Sequence, residues 1–350
     1  MNHASPMPGT ESLDPALDVV RPHPLCAETP VSRLQHAITP AESVYVRSNF
    51  PTPELSAAHA LHIGGAVRAP YTLSVSELLA MAPHELTVTM ECAGNWRLGM
   101  EPVPEGEPWK YGAVSTTRWS GVPLHQLLER AGVDASAVEL LATGADVGPR
   151  DDADGPVIFA RSLPMDVALH PDTLVATHMD GVPLTSAHGA PARLIVPGWY
   201  GMASVKWLVS LELLTTPYTG YFQRKRYVYE TPEGVEPVGR ARVKSMIASP
   251  TAGAELAADA RIAGWAWSGA GAITRVEVAV NDRWHDATLG APASAYAWTP
   301  FSLSVPLPLG EVTLRSRATD ASGAVQPERI VWNRLGYGNN AVRAVAVTVR

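Results

Sequence analysis

The 350-residue chain is poor in cysteine, with two, and in phenylalanine, with four. Cys26 and Cys92 build no disulfide framework and lack zinc-finger spacing. A disulfide between them is not expected in a reducing compartment. No run approaches the ~18 apolar residues of a membrane span, so no membrane partner is expected. Charged residues make up only 17% and the net charge is −7. That excludes a whole-protein positive field of the kind that binds nucleic acid or anionic lipid, and an anion handled by this chain must meet a local basic pocket. The stretch MNHASPMPGTESLDPALDVV has no basic start, apolar core or twin arginine, so the expected location is cytoplasmic. The phosphate-loop and dinucleotide fingerprints are missing, since HIGGAV has neither the spacing nor the following helix. There is no G-x-S-x-G elbow.

What is present is a hydrophobic content of 46%, with 31 prolines, 28 glycines, ten tryptophans and ten tyrosines. This mix suits a loop-rich protein of many short strands, long enough for two domains. Residues 1–40 are rich in Pro, Ser and His and read as an N-terminal arm. Residues 41–235 alternate strand-like runs with short helices, an α+β pattern. Ser74 and Glu77 in SVSELLAM form a capping-box signature. PLHQLLERAGV has Pro123 near its start and Gly132 past its end, a second helix. ARLIVPG and SVKWLVSLELL are strand-like. The Pro-, Gly- and Glu-rich ETPEGVEPVGRARVKS marks a boundary. Over 240–350 the helix signals stop. TRVEVAVNDRW, EVTLRSRATD and AVRAVAVTVR alternate apolar and polar residues as half-buried strands do, which predicts an all-β immunoglobulin-like sandwich.

Cys92 lies in TVTMECAGNWRLGM. A free cysteine is commonly a small buried hydrophobe. Here Ala93, Gly94 and Asn95 form a turn that permits close backbone approach, and Arg97 adds positive charge that favours a thiolate. A thiolate suits a transition metal, and a Cys–His nucleophile is the competing use. Arg47, Arg97, Arg193, Lys206 and the cluster Arg224, Lys225 and Arg226 border glycine-rich turns. Singly they read as surface charges, and together they suit an oxyanion or phosphate site. His59, His62 and His178 repeat no known ligand spacing. His188, beside Gly189, is the histidine placed to meet a bound cofactor as a neutral donor. Tyr227 reads as a strand tyrosine or as a phenol offered to substrate.

Taken together, MECAGNWR, WKYGAVSTTRWSGVPL, HGAPARLIVPGWYGMASVKWL and YFQRKRY resemble, in order and spacing, the sulfite oxidase family of molybdenum enzymes. YVRSNFPTP resembles its amino-terminal cofactor segment, and GWAWSGAGAITRVEVAVNDRW and WNRLGYGNNAVRAV resemble its dimerisation domain. The resemblance implies a molybdopterin-binding domain over 41–235 and a dimerisation domain over 240–350. It implies molybdenum ligated by Cys92, with molybdopterin contacted by Tyr45, Val46, Arg47, Ser48, Asn49, Asp146, His188, Arg193, Ser204, Val205 and Lys206. Arg47, Arg97, Trp109 and Tyr227 would line the oxyanion pocket. Oxygen-atom transfer is the implied reaction, sulfite to sulfate first, with a small oxyanion substrate, an external electron acceptor and a homodimer. Reduction of an S-oxide or nitrate is the alternative within the enzyme class. Outside it stands a non-catalytic β-sandwich interaction protein with Cys92 merely buried. Two departures bear on the substrate. Trp96 stands where animal members carry a first arginine before Arg97. The order Asn333, Arg334, Leu335 moves another family arginine by one place, which is expected to turn it away from the pocket.

Overall fold

The computed structural model describes residues 15–56 and 58–350. The first part of the chain is built on two five-stranded sheets. One runs Val182–Pro183, Leu174–Met179, Val114–Pro123 and His84–Glu91, with Arg193–Ile195 also paired to Leu174–Met179. The other runs Tyr71–Ser74, Ala60–Gly65, Leu208–Leu214, Glu139–Gly148 and Val157–Pro164, and its pairing of Ala60–Gly65 with Leu208–Leu214 is parallel. Strands dominate, and the four α-helices among the described residues are short. Val75–Ala80 starts at the expected capping box: the Ser74 side chain accepts from the Glu77 amide while the Glu77 carboxylate accepts from the Ser74 amide. Leu124–Ala131 buries Leu124, Leu127, Leu128 and Ala131 and ends at Gly132, whose φ of +73° lets its amide close the last turn.

Residues 1–14 of the segment read as an arm lie outside the described residues. The rest is more ordered than its composition indicated. Asp18–Arg21 pairs with Cys26–Glu28, which pairs in turn with Val46–Arg47, opposing Cys26 to Arg47. This small sheet sets the YVRSN segment beside the Cys92 strand, because the buried Glu28 carboxylate accepts the amides of Lys110, Tyr111 and Gly112.

After the hairpin Val228–Thr231/Gly234–Pro237 the chain forms a four-stranded and a five-stranded sheet that share one apolar core. The predicted alternation is realised. Val276, Val278 and Val280 enter this core, as do Val312 and Leu314, and Val345, Val347 and Val349. Ile273–Val280 turns at Asn281 and Asp282 into Arg283–Asp286.

The two halves meet on a buried ion pair. Lys244 Nζ lies 2.6 Å from Glu91 Oε1, with side chains 1% and 2% exposed. Trp267 Nε1 donates to Glu91 Oε2 and Asn95 Nδ2 to Glu91 Oε1, both at 2.9 Å, while Lys244 also donates to the Asn339 carbonyl. Asn339 Nδ2 reaches the Trp96 carbonyl at 3.0 Å and the Gly338 amide reaches that of Ala93 at 2.7 Å. The turn bearing Cys92 is therefore clamped by the C-terminal half.

Candidate active site

Cys92 follows the strand His84–Glu91 directly, its amide donating to Ala113 and its carbonyl accepting from Asn95. Trp96, at a φ of +67°, bends the chain into the short helix Arg97–Gly99. A Cβ on Gly94 would stand 2.6 Å from the Arg97 guanidinium, so a side chain there would displace Arg97 from its two carbonyls. Cys92 borders a cavity that also opens on Tyr45, Met90, Trp119 and Trp207. Burial pushes the thiol up, outweighing Arg47, the Gly94 amide and Arg97, which pull it down. Arg97 favours the thiolate, as expected, but burial dominates, so these charges alone leave the thiol protonated.

The same cavity is bordered by Tyr45, Val46, Arg47, Asn49, Asp146, His188, Arg193, Ser204, Lys206 and Tyr227. These residues come from segments far apart in sequence. Arg193 donates to the His188 and Ser204 carbonyls, and Lys206 donates to Ser48 Oγ and the Ala187 carbonyl. Ser48 thus stands behind Lys206. Val205 is wholly buried, and its carbonyl accepts the Leu194 amide. Burial lowers Lys206 and raises Asp146, each opposing the other's shift. Burial, with Arg193 and Lys206 nearby, brings His188 down to about 3. The ring is neutral, with Nε2–H facing the Val44 carbonyl at 3.2 Å and Nδ1 accepting from the Thr185 hydroxyl at 2.8 Å.

Arg47 Nη1, Asp146 Oδ1 and Arg193 Nε are buried with no protein partner. Buried polar atoms are normally satisfied, so orphans converging on one cavity mark a polar ligand. Three cations beside one thiol fit an anionic, phosphate-bearing group that brings further metal ligands of its own. Among the described residues no cluster of three or more His, Cys, Asp or Glu could hold a metal unaided. The residues fit a metal–dithiolene pterin cofactor.

Arg47, Asn49 and Tyr227 also border an open vestibule with Arg21, Glu107, Arg150, Phe222, Arg226, Leu335 and Tyr337. Asn49 Nδ2 donates to the Tyr227 hydroxyl at 3.3 Å. Two residues expected in the oxyanion pocket border neither space. The Arg97 guanidinium donates to the Glu107 carbonyl at 2.7 Å and the Leu335 carbonyl at 2.9 Å, which makes it a strut behind the wall. Trp109 is fully buried in the apolar cluster around Cys92. Arg334 points outward, 2.5 Å from Glu230, as its displacement predicted. Lys225 and Arg226 share Asp152, and Arg224 is exposed. His59 bonds to the distant Leu208 carbonyl and His178 to its neighbour Thr177.

Sequence reading missed Arg21, Glu107 and Arg150. Arg21 lies 2.8 Å from Glu107, and Arg150 lies over the Phe50 and Phe222 rings while donating to Asn49 Oδ1. Their only sequence signal was an arginine in a segment read as an arm and another beside acids in GPRDDADG.

Comparison with known proteins agrees with this geometry. Residues 49–222 match the family model described as the oxidoreductase molybdopterin binding domain, and 237–350 match the Mo-co oxidoreductase dimerisation domain. Mitochondrial sulfite oxidase of Homo sapiens is 33% identical over 96% of this chain and 66% of its own length, so the chain spans about two thirds of that relative. Sulfite oxidase of Gallus gallus is 31% identical over 96% of this chain and 79% of its own. Nitrate reductase [NADH] of Solanum lycopersicum is 32% identical over 93% and 40%. Among solved structures, the sulfane dehydrogenase SoxCD from Paracoccus pantotrophus superposes with a TM-score of 0.80 at 31% identity, covering 96% of this chain and 87% of that one. A cysteine-centred cavity with orphaned cations, matched along nearly the whole chain, leads to one conclusion: the chain belongs to the sulfite oxidase family of molybdopterin-dependent oxidoreductases.

Proposed function

We propose that this protein carries out oxygen-atom transfer on a small oxyanion, passing electrons to an external acceptor, with sulfite to sulfate as the first reaction to assay. The observation that carries this reading is the shared wall: Arg47, Asn49 and Tyr227 border both the Cys92 cavity and the vestibule. When bound, the molybdenum cofactor supplies the two-electron exchange of oxygen with substrate. Cys92 would give it the protein sulfur. Arg193, Lys206 and neutral His188 would hold its pterin and phosphate, with Asp146, Ser204 and the segment Tyr45–Asn49 completing the cradle. Arg47 is poised to hold an anion. Burial works against its charge, yet its pKa stays above the ordinary guanidinium value, and the Glu107 carboxylate lies 3.9 Å away. Tyr227 offers its hydroxyl to the same place, held by Asn49. Desolvation strengthens both contacts.

The C-terminal domain, which we read as an immunoglobulin-like sandwich, would pair two copies. The nitrate reductase relative keeps reduction of nitrate or an S-oxide as a second reading. Protein from a cofactor-competent host should hold about one molybdenum and one pterin per chain. Cys92→Ser should abolish turnover of sulfite, nitrate and sulfoxide alike while circular dichroism stays unchanged. Full activity in that variant would refute the assignment of the sulfur.

A further inference from the structure

Tyr227 carries backbone strain at the wall shared by the Cys92 cavity and the vestibule. Its φ is +52°, a region that a bulky residue occupies only under constraint. The Val238 amide holds its carbonyl at 2.8 Å. Its ring stacks on Tyr337 at 5.2 Å, with Phe159 edge-on at 6.4 Å. With the ring so enclosed, what remains adjustable is the direction of the hydroxyl hydrogen. Among the described residues that hydroxyl has one hydrogen-bond partner, Asn49 Nδ2 at 3.3 Å.

An asparagine can turn either its oxygen or its nitrogen to a phenol, with opposite consequences. The oxygen would take the phenolic hydrogen, whereas the nitrogen gives its own and leaves the phenolic one free. Arg150 decides between them. A guanidinium can only donate, and Arg150 Nη2 stands 3.0 Å from Asn49 Oδ1 and 3.4 Å from the Asn49 carbonyl. Oδ1 must therefore face Arg150, which leaves Nδ2 for Tyr227. Arg150 is itself fixed over the Phe50 and Phe222 rings, 4.8 and 5.5 Å from their centroids. Burial pulls its pKa down, so the charge is held there against desolvation.

We infer that Arg150 is a positioning residue: by fixing the Asn49 amide it keeps the Tyr227 hydroxyl hydrogen free for an oxygen of the bound anion. The inference rests on the reading of this site as one for a small oxyanion, and it names the residue that sets the hydrogen-bond direction there. Arg150 Nε, buried without a protein partner, supplies the rival, a direct contact between Arg150 and the anion. The two differ in whether the effect of Arg150 needs the Tyr227 hydroxyl.

Calorimetric titration of the molybdenum-loaded protein with sulfate, a non-reacting oxyanion, separates them. Tyr227→Phe and Arg150→Met should each weaken sulfate binding about tenfold. In the Tyr227→Phe background, Arg150→Met should weaken it by less than about threefold, the share of a lost positive charge. Equal weakening by Arg150→Met in both backgrounds would overturn the inference. So would no weakening in either, or a parent protein that binds no sulfate. Each variant is compared at the parent's circular dichroism and molybdenum content. Asn49→Leu breaks the same chain at its middle, with the same dependence on Tyr227 expected, and replaces any Arg150 variant that fails that comparison. Turnover on the same samples tests the oxygen-transfer reading separately. A parent that couples positions 150 and 227 in sulfate binding, yet turns over none of sulfite, nitrate or sulfoxide, would sink that reading and leave this inference standing.

Discussion

Lys244→Met removes the ammonium of the Glu91–Lys244 pair while keeping most of the side-chain volume. Both partners are sealed from water, at 1% and 2% exposure and 2.6 Å apart. Removing one partner of a buried pair typically costs about 3–5 kcal/mol, because the remaining charge is left uncompensated. Here the Glu91 carboxylate would keep two donors, Trp267 Nε1 and Asn95 Nδ2, each at 2.9 Å. Hydrogen bonds to a charged group are worth ~1.5–3 kcal/mol each, so the loss should fall near the lower end, about 3 kcal/mol. Urea denaturation of the cofactor-free chain, followed by tryptophan fluorescence, measures it, with Trp267 as a reporter at the pair. A Glu91→Leu/Lys244→Met double variant should regain most of the stability, since apolar groups replace a buried pair well. A single variant within about 1 kcal/mol of the parent would refute the reasoning. So would a double variant as weak as the sum of the singles.

Two other outcomes follow from the same geometry. His188 is held at about 3 against an ordinary 6.5, so below pH 6.5 the unfolded chain binds a proton the folded one refuses. Its contribution is complete above pH 6.5 and is lost as pH falls towards 3, at about 1.4 kcal/mol per unit. Stability of the cofactor-free chain measured between pH 7 and 5 should fall by about 2 kcal/mol from this group, and His188→Gln should flatten that slope; an unchanged slope would exclude the assignment. Ser74→Ala deletes the capping box of Val75–Ala80 and should lower stability by about 1 kcal/mol without touching cofactor content. A change within error in denaturant midpoint would show that this helix is held by packing alone.

Local chemistry made several elements legible. The Ser74–Glu77 spacing forms the capping box as read, and the alternation of EVTLRSRATD is that of a strand with one face in a core. Gly132 ends its helix for the conformational reason its position implied. What failed was contact information. Arg97 sits two residues from the Gly94 turn, and only the folded chain shows that carbonyls at 107 and 335 occupy its donors. Trp109 is apolar enough for either a pocket or a core, and its neighbours decide. Arg21 lies in a segment whose proline-rich composition hid two strands, because pairing with Val46–Arg47 overrides weak local propensity.

The segment 335–339 carries two duties that its alternating residue sizes keep apart. Gly336 and Gly338 both lie at positive φ, 63° and 66°. A Cβ on the first would stand 2.7 Å from Arg97 Nε, and on the second would strike the Tyr229 hydroxyl. Positive φ and these contacts together resist a side chain at either glycine, and strain at 338 would be felt at Cys92 because the Gly338 amide holds the neighbouring Ala93 carbonyl. Leu335 and Tyr337, each preceding one of these glycines, border the vestibule instead. Backbone here fixes the Cys92 turn while the side chains of Leu335 and Tyr337 line the vestibule. The vestibule lining can therefore change at 335 and 337 with the Cys92 turn left in place, whereas substitution at 336 or 338 disturbs both at once. A Gly338→Ala variant should accordingly lose cofactor content as well as stability, while Leu335→Arg should retain the full molybdenum content of the parent. Equal molybdenum loss in both variants would show that the two duties are not separated.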